Sequence, residues 1–286
     1  MRSVFAVVAL VVCVHAGLWT ALHRQQAAVN IDAPLASVSY SPYVWDHPNS
    51  GVRPTAEQIR ADLKLLSPYT QAIRTYQSTG GVEQVPAIAA ELGLKVTLGI
   101  AIDEDEARNE REIQAAIALA RRYSNINAIV VGNETLLTAK KSVDELIAII
   151  KRVKRQVAVP VTTGETYDVW LGLPNPKKPE EAGKRAEAAA KLAATVDFIA
   201  AHILPYWGGV PANQAVERTI VIYNQLRNMY RGKRIVIAEF GWPSGGYNMH
   251  HADPGRTEQA MVLRDFVFRA EAIGIDYNVI EAFDQP

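Results

Sequence analysis

The chain has 286 residues, of which 49% are hydrophobic, and its 30 basic and 30 acidic residues cancel to a net charge of zero. This balance argues against nucleic acid as a partner, because nucleic-acid binding needs a basic face. The single cysteine, Cys13, excludes a disulfide or a cysteine-ligated metal within the rest of the chain. The six histidines show no metal-ligand spacing, so we expect neither a metal nor a cofactor.

An apolar segment, VFAVVALVVCVHAGLWTAL (4–22), follows Met1, Arg2 and Ser3. Its length could just span a bilayer as a helix. It could instead be the apolar part of a cleaved signal peptide, with Val14-His15-Ala16 at the cleavage site. The run continues past Ala16, which slightly favours a retained anchor. Either interpretation exports the rest of the chain, so we expect a signal anchor or signal peptide over 1–30 and a folded domain over 31–286.

Eight short runs rich in β-branched residues recur along the rest of the chain, separated by longer amphipathic stretches. Their spacing leaves room for a crossover helix between successive strands, as a parallel sheet requires. The predicted strands are SVSYSPYV (37–44), AIRTY (72–76), KVTLGI (95–100), INAIVVGN (126–133), VPVTTG (159–164), FIAAHILPYW (198–207), RIVIAEFGW (234–242) and NVIEAF (278–283).

Helix start and stop signals fill the intervening stretches. Residues 55–58 (TAEQ) and 142–145 (SVDE) are capping boxes. Gly93, Gly232 and Gly274 lie where a helix would end in a left-handed residue just before a strand. Residues 179–196 and 256–274 are also predicted to be helical.

Eight strands alternating with seven helices predict a (β/α)₈ (TIM) barrel. The alternative is an open doubly wound sheet. Its phosphate-binding turn would be rich in glycine, whereas the first strand here runs into SPYVWDHPNSG (41–51). The sequence stops at Pro286, directly after the eighth predicted strand, so we expect a barrel that lacks its last helix.

Carboxylates and aromatic side chains with polar tips collect at the carboxyl ends of the predicted strands, where a barrel places its active site. Aromatic faces stack on sugar rings, and a pair of carboxyl groups is what cleavage of a glycosidic bond needs. Taken singly, most of these residues have simpler explanations, such as a plug of the barrel mouth or an ion pair. For His202 a core or supporting position is favoured over a catalytic base. The set comprises Tyr40, Tyr43, Trp45, Arg74, Tyr76, Asp103, Asn133, Glu134, Glu165, Tyr167, Trp170, His202, Tyr206, Trp207, Glu239, Trp242, Glu281, Phe283 and Asp284.

Two motifs, VVGNE (130–134) and IAEFGWPSGG (237–246), resemble the signatures of glycoside hydrolase family 17, the β-1,3-glucanase family of the retaining barrel clan A. HILPYW (202–207), VPVTTGETYDVWL (159–171) and VIEAFDQP (279–286) are more similar to its bacterial branch than to its plant enzymes. The resemblance covers residues 37–286. That branch includes enzymes of β-1,3- and β-1,6-glucan assembly, some of them fused to membrane glycosyltransferases.

The resemblance implies a role for each matching residue. Glu134 matches the general acid/base, Glu239 the nucleophile, and Asn133 the amide that bonds the sugar 2-hydroxyl. Arg74 at a strand end could pair with and orient a carboxylate. The predicted substrate-binding set is Asn133, Tyr206, Trp207, Trp242, Tyr43, Arg74, Glu165 and Phe283, and Tyr247 and Trp170 are further candidates for the acceptor side.

The resemblance therefore implies a metal-free and cofactor-free retaining glycosidase or transglycosylase of β-1,3-glucan, with β-1,6 branching as an option. Its expected partners are the β-glucan, the membrane and a membrane glucan synthase. Its expected location is the periplasmic face of the inner membrane, or the periplasm or exterior if the leader is cleaved. One alternative is an inactive glucan-binding barrel, because the sequence stops where the family continues. A barrel enzyme of small-molecule metabolism is another, and it would show a phosphate or metal requirement.

Overall fold

The computed structural model describes residues 2–22, 30–42, 53–175 and 179–284. Eight parallel strands close into a barrel in chain order, and β8 pairs with β1. The predicted (β/α)₈ architecture is therefore confirmed. The strands are β1 (Val38–Ser39), β2 (Ala72–Arg74), β3 (Lys95–Ile100), β4 (Ile126–Asn133), β5 (Val161–Thr166), β6 (Ile199–His202), β7 (Ile235–Phe240) and β8 (Asp276–Val279).

The helices after the strands surround the barrel, and two short 3₁₀ turns, Val82–Gln84 and Pro179–Glu181, precede α3 and α7. After β8 the described chain runs to Asp284 without another helix. The helices are α1 (Arg2–Leu22), α2 (Ala56–Leu66), α3 (Val85–Glu91), α4 (Glu106–Arg122), α5 (Val143–Lys154), α6 (Tyr167–Trp170), α7 (Ala182–Thr195), α8 (Ala212–Met229) and α9 (Arg256–Ala272).

The local signals for helix ends are confirmed by the backbone. Thr55 and Ser142 both form complete capping boxes at the starts of α2 and α5. Gly93, Gly232 and Gly274 have φ angles of 72°, 82° and 71°, the left-handed conformation that ends a helix without strain only at glycine.

The predicted sixth strand is longer than the observed one. Residues 198–207 form one apolar run, but β6 ends at His202 and the backbone turns from Pro205 onward. Proline has no N–H to give to a sheet ladder, and the register between β6 and β7 already shifts at His202. The apolar residues after His202 therefore belong to the rim of the barrel.

Helix α1 stands apart from the barrel in character. Its window Ser3–Thr20 has a mean hydropathy of 2.1, and none of it is buried. By length and composition this helix can span a membrane, but a signal sequence has the same length and composition. The domain boundary at residue 30 stays a prediction.

Candidate active site

Glu134 follows β4 in an unusual backbone conformation. Its φ angle is 51° and that of Gly132 is 74°, so the strand ends in two left-handed residues. Such a conformation is uncommon outside glycine. Here the Glu134 N–H donates to the Gly164 carbonyl at 2.7 Å, and the Glu134 carbonyl accepts from the Thr138 N–H at 2.9 Å. The side chain keeps about a quarter of its surface exposed (25%).

Glu239 lies on β7 and is 4% exposed. Its Oε1 accepts a hydrogen bond from Tyr76 OH at 2.9 Å and from Arg74 Nη1 at 3.1 Å. The Tyr76 hydroxyl is also 2.7 Å from Ser39 Oγ, which ties the pair to β1. Two donors from the end of β2 and the residues just after it thus fix the orientation of the Glu239 carboxyl group.

Arg74 connects the ends of three strands beneath these carboxylates. The residue is 2% exposed. Nη1 also donates to the Ala238 carbonyl at 2.7 Å, and Nη2 donates to Asn133 Oδ1 at 2.8 Å. A side chain on Gly164 would place its Cβ 2.9 Å from Nη2, so β5 needs glycine where it passes the guanidinium. The prediction that Arg74 pairs with a carboxylate is confirmed.

His202, the last residue of β6, lies between the two glutamates and is buried. Its Nδ1 is 2.9 Å from Glu134 Oε1, and its Nε2 is 3.4 Å from Glu239 Oε1. Burial lowers the pKa of the imidazole to about 4; Glu239 opposes this shift and Arg74 adds to it. The ring is therefore neutral at pH 7.

The two glutamates lie close together. One oxygen of each and one nitrogen of His202 all lie within 4.8 Å of one another. Two carboxylates and an imidazole can bind a metal ion, but Arg74 already places a permanent positive charge 3.1 Å from the Glu239 oxygen. Repulsion from that charge disfavours a divalent cation at the same oxygen, and the arrangement fits acid/base chemistry better.

The two carboxyl groups have different surroundings. Partial burial raises the pKa of Glu134, the Asp168 carboxylate raises it further, and Arg74 acts in the opposite direction. Glu239 instead accepts the two hydrogen bonds described above. Glu134 is thus biased toward its protonated form, as a general acid needs, while a guanidinium and a phenol hold Glu239 in place.

Two cavities open at this end of the barrel, and Trp207 borders both of them. One, of about 620 Å³, is lined by Tyr206, Trp207, Trp242 and Phe283. The other, of about 390 Å³, contains Glu134 together with Tyr167, Asp168 and Trp207. The Tyr206 ring packs edge-on against Trp207 and Trp242, at centroid distances of 5.2 and 5.5 Å. Trp207 is 58% exposed and so presents a free aromatic face between the cavities.

Residues 37–286 match the family of BtgE/BtgC glycoside hydrolase domains. The chain belongs to this glycoside hydrolase family. Among curated relatives, the probable glucan endo-1,3-beta-glucosidase btgC of Aspergillus fumigatus is 26% identical, in an alignment that covers 90% of this chain and 39% of the relative. The corresponding protein of Aspergillus clavatus is 27% identical, with 82% of this chain and 35% of the relative covered. The chain thus spans well under half the length of these relatives.

The glycoside hydrolase fold is also matched by solved structures. The family 17 β-1,3-glucanosyltransferase from Rhizomucor miehei is 26% identical with a TM-score of 0.73, and 88% of each chain is covered. Its active-site mutant, solved with laminaritriose, gives 25% identity and a TM-score of 0.74, again with 88% of each chain covered. These matches support the resemblance to family 17. The bacterial branch stays a prediction.

The structure of this glycoside hydrolase brings most of the predicted site residues together. Glu134, Asn133, Arg74 and Glu239 form one connected group, joined by hydrogen bonds through Arg74 and His202. Tyr206, Trp207, Trp242 and Phe283 line the larger cavity. Tyr43 lies outside the described residues.

Three predicted substrate contacts lie below the cleft. Glu165 is fully buried, and its oxygens accept from the backbone N–H groups of Leu136 at 2.8 Å and Leu137 at 3.3 Å. It therefore holds the turn after Glu134. Trp170, a candidate for the acceptor side, is also fully buried and donates to the Ala200 carbonyl at 2.9 Å. Arg74 likewise supports Glu239 and Asn133 from beneath.

Three further residues, Tyr76, His202 and Asp168, belong to the site. Tyr76 lies two residues after Arg74, and alternation along an extended chain puts both on one face, so the pairing was readable from IRTY. His202 was interpreted as a core or supporting histidine rather than a catalytic base, and it is buried with its ring nitrogens beside both glutamates. Asp168, whose carboxylate is 3.2 Å from Arg185 Nη2, gave no signal because α6 is only four residues long.

Proposed function

We propose that the protein cleaves β-1,3-linked glucan with retention of configuration, with Glu239 as the nucleophile and Glu134 as the general acid/base. The observation that carries this proposal is the separation of the two carboxyl groups, whose nearest oxygens lie within 4.8 Å. Retaining enzymes hold their carboxyl groups about 5–5.5 Å apart, whereas inverting enzymes need about 6.5–9.5 Å to admit a water molecule.

In the first step an oxygen of Glu239 attacks the anomeric carbon while the bond to the leaving oxygen breaks. Glu134 gives its proton to that oxygen, and the glucosyl unit is now an ester of Glu239. In the second step the Glu134 carboxylate takes a proton from the acceptor hydroxyl, whose oxygen attacks the same carbon and releases Glu239 as a carboxylate. Asn133, held by Arg74, presents its amide beside this carbon in the proposed complex.

The substrate class follows from the cleft and from the relatives. The exposed aromatic face of Trp207, packed against the buried ring of Tyr206, suits the apolar face of a glucosyl ring. The relatives named above carry glucan endo-1,3-beta-glucosidase and β-1,3-glucanosyltransferase names. Binding of β-1,3-glucan across both cavities, with Trp207 between donor and acceptor, accounts for both observations.

Transfer to a sugar acceptor is the second candidate function, beside hydrolysis. The cavity of about 390 Å³ that contains Glu134 is bordered by Tyr167 and Trp207, and it can hold a sugar ring against the acid/base. A bound sugar hydroxyl at that place competes with water for the glucosyl ester. β-1,6 linkages and a membrane glucan synthase as partner stay predictions that rest on the resemblance alone.

The test uses purified protein, a laminari-oligosaccharide labelled at its reducing end, and product sizing with linkage analysis. We expect shorter products from hydrolysis and longer ones from transfer, and the anomer that forms first should be β by proton NMR. Glu134→Gln and Glu239→Gln should each abolish turnover. Glu217→Gln, a carboxylate paired with Arg269 on the outer face, is the matched control and should leave turnover unchanged. An α-anomer as first product would refute retention, and binding without any product would favour the inactive glucan-binding barrel.

We also propose that α1 carries the barrel across a membrane, either as an anchor or as a signal. The support is its apolar window of 18 residues, Ser3–Thr20. Fractionation of cells that express the full chain separates the outcomes. Protein in the membrane pellet indicates an anchor, a shortened soluble form outside the cytoplasm indicates cleavage, and full-length protein in the cytoplasm contradicts both.

A further inference from the structure

The position of the hydrogen on the neutral His202 ring determines whether the ring donates a hydrogen bond to Glu134, the proposed acid/base, or accepts one from it. Because burial holds the imidazole neutral, only one ring nitrogen carries a hydrogen. If Nδ1 carries it, the ring donates to Glu134. If Nε2 carries it, the ring points its hydrogen at Arg74 and Glu239 and can only accept from Glu134.

The hydrogen-bond partners of Arg74 settle which nitrogen is protonated. The two N–H groups of Nη1 donate to the Ala238 carbonyl and to Glu239 Oε1. One N–H of Nη2 donates to Asn133 Oδ1, and for the other His202 Nε2 is the acceptor at 3.3 Å. A hydrogen on Nε2 would leave that buried N–H without an acceptor, which costs free energy.

The hydrogen bonds of Glu239 also indicate that His202 Nε2 carries no hydrogen. Its Oε1 already accepts from Arg74 Nη1 and from Tyr76 OH, which occupy both lone pairs of that oxygen. A hydrogen on His202 Nε2 would be a third donor, at 3.4 Å, to an oxygen that is already satisfied. Nε2 is therefore an acceptor, and the hydrogen is on Nδ1, 2.9 Å from Glu134 Oε1.

The packing keeps the ring in this orientation. A Cβ on Gly164 would lie 2.8 Å from His202 Nε2, so the imidazole edge fits directly against the backbone of β5. The Glu134 N–H donates to the carbonyl of the same glycine. Glu134 and His202 thus both lie against β5 at Gly164, which leaves little room for the imidazole ring to flip.

We propose that His202 is a positioning residue that makes the two oxygens of Glu134 unequal: its Nδ1–H occupies Oε1, so that Oε2 is the oxygen that carries the proton to the leaving group. This role rests on the proposed function of Glu134. In the return step the same contact holds Oε1, and Oε2 receives the proton of the acceptor. His202 itself neither gains nor loses a proton in either step.

Two variants separate this role from a merely structural one. In His202→Asn the side-chain amide nitrogen can take the place of Nδ1 and still donate to Glu134. In His202→Gln the amide lies one bond further from the backbone, at the position of Nε2, so the donor to Glu134 at the position of Nδ1 is lost. We expect kcat/KM for a laminari-oligosaccharide to fall by about a hundredfold in His202→Gln and by less than about tenfold in His202→Asn, because a well-placed general acid contributes about 10²–10⁴-fold.

A substrate that needs no proton sharpens the comparison. Dinitrophenyl β-laminaribioside has a leaving group that departs as an anion and needs no proton from Glu134. With this substrate, kcat/KM in His202→Gln should therefore fall far less than with the oligosaccharide. The basic limb of the kcat/KM profile should move to higher pH in His202→Gln only, since the lost donor favoured the Glu134 carboxylate. The other charged and titratable groups around the ring and Glu134, which are Arg74, Tyr76, Lys140, Glu165, Asp168 and Glu239, are the same in both variants.

Equal losses on both substrates, or equal losses in both variants, would overturn the proposal. Nitrogen-15 NMR of histidine-labelled wild-type protein tests the tautomer directly, with His202→Asn used to assign the signal. An Nε2–H tautomer refutes the inference even if the variants fold poorly. Wild-type protein that shows the Nδ1–H tautomer and yet has no activity on glucan would refute the proposed function and leave the tautomer established.

Discussion

Removal of the Arg74 guanidinium should be among the most destabilising single changes in the barrel. Arg74 and Glu239 form an ion pair at 3.1 Å with only 2% and 5% of their side chains exposed. Loss of one partner of such a pair leaves a buried charge without a counterion, which costs about 3–5 kcal/mol. Arg74→Met keeps most of the length of the side chain and removes the charge and all its donors.

The magnitude divides into two parts. The hydrogen bonds to Ala238 O and Asn133 Oδ1 contribute about 1 kcal/mol each, so about 2 kcal/mol of the loss is independent of Glu239. The remaining roughly 1–3 kcal/mol comes from the unpaired carboxylate, and it should disappear in Arg74→Met/Glu239→Gln. Since 1 kcal/mol shifts the unfolding midpoint of a large domain by about 2–4 °C, Arg74→Met alone should lower the midpoint by about 10 °C.

Thermal unfolding of the wild type, both single variants and the double variant at pH 7 measures this coupling. The matched control is Arg152→Met, which breaks an arginine–glutamate pair of 2.6 Å on the outer surface, where we expect no comparable change. Destabilisation that simply adds in the double variant, or an Arg74→Met midpoint no lower than that of Arg152→Met, would refute the assignment of a buried, coupled pair.

Three further outcomes follow from the site. Burial raises the pKa of Glu165 to about 7, whereas an unfolded glutamate titrates near about 4.3, so Glu165 stabilises the fold when it is protonated. Its contribution of about 3 kcal/mol to the free energy of unfolding is lost as the pH rises from about 4.3 through about 7. Glu165→Gln should remove that pH dependence from urea unfolding, and an unchanged dependence contradicts this prediction. Trp207→Ala should raise KM for laminari-oligosaccharides about tenfold, the equivalent of about 1.4 kcal/mol of stacking, with kcat less affected, and an unaltered KM would exclude a stacking role. Because Arg74 occupies the place of a cation beside Glu239, activity should survive EDTA, and loss of activity restored by zinc or manganese would revive the metal interpretation.

The barrel could be predicted from the sequence because its signals are local and repeated. Capping boxes at Thr55 and Ser142, helix-ending glycines and β-branched runs each depend on a few neighbouring residues, and all of them reappear in the structure. The ends of the strands were harder to predict from the sequence. The apolar run after His202 looked like continued strand, yet those residues cover the rim, where burial also favours apolar side chains.

The contacts within the site depend on register, which a single sequence does not show. Glu165 follows a predicted strand (159–164) much as Glu134 does, and both were interpreted as cleft residues, although Glu165 lies within β5. Only the pairing of β4 with β5 shows that Glu165 lies under the turn 135–137, where two backbone N–H groups need an acceptor. The convergence of Arg74, His202 and Glu239 depends in the same way on the alignment of β2, β6 and β7.

The small residues around Arg74 explain how a barrel interior can accept a guanidinium. Barrel cores are usually filled by bulky branched side chains, but here Ala128, Ala200 and Ala238 lie in a small cluster with Phe198, and Gly164 has no room for even a methyl group. Arg74 lines a cavity of about 330 Å³ together with these alanines, and its polar atoms reach Glu239 and the Ala238 carbonyl. A larger residue at Gly164 would clash with the guanidinium, since its Cβ would already lie 2.9 Å from Arg74 Nη2, and displacement of Arg74 would leave Glu239 buried without its counterion. The composition of this layer is therefore part of the catalytic machinery that we propose, because it determines whether the charge under the nucleophile can be there at all.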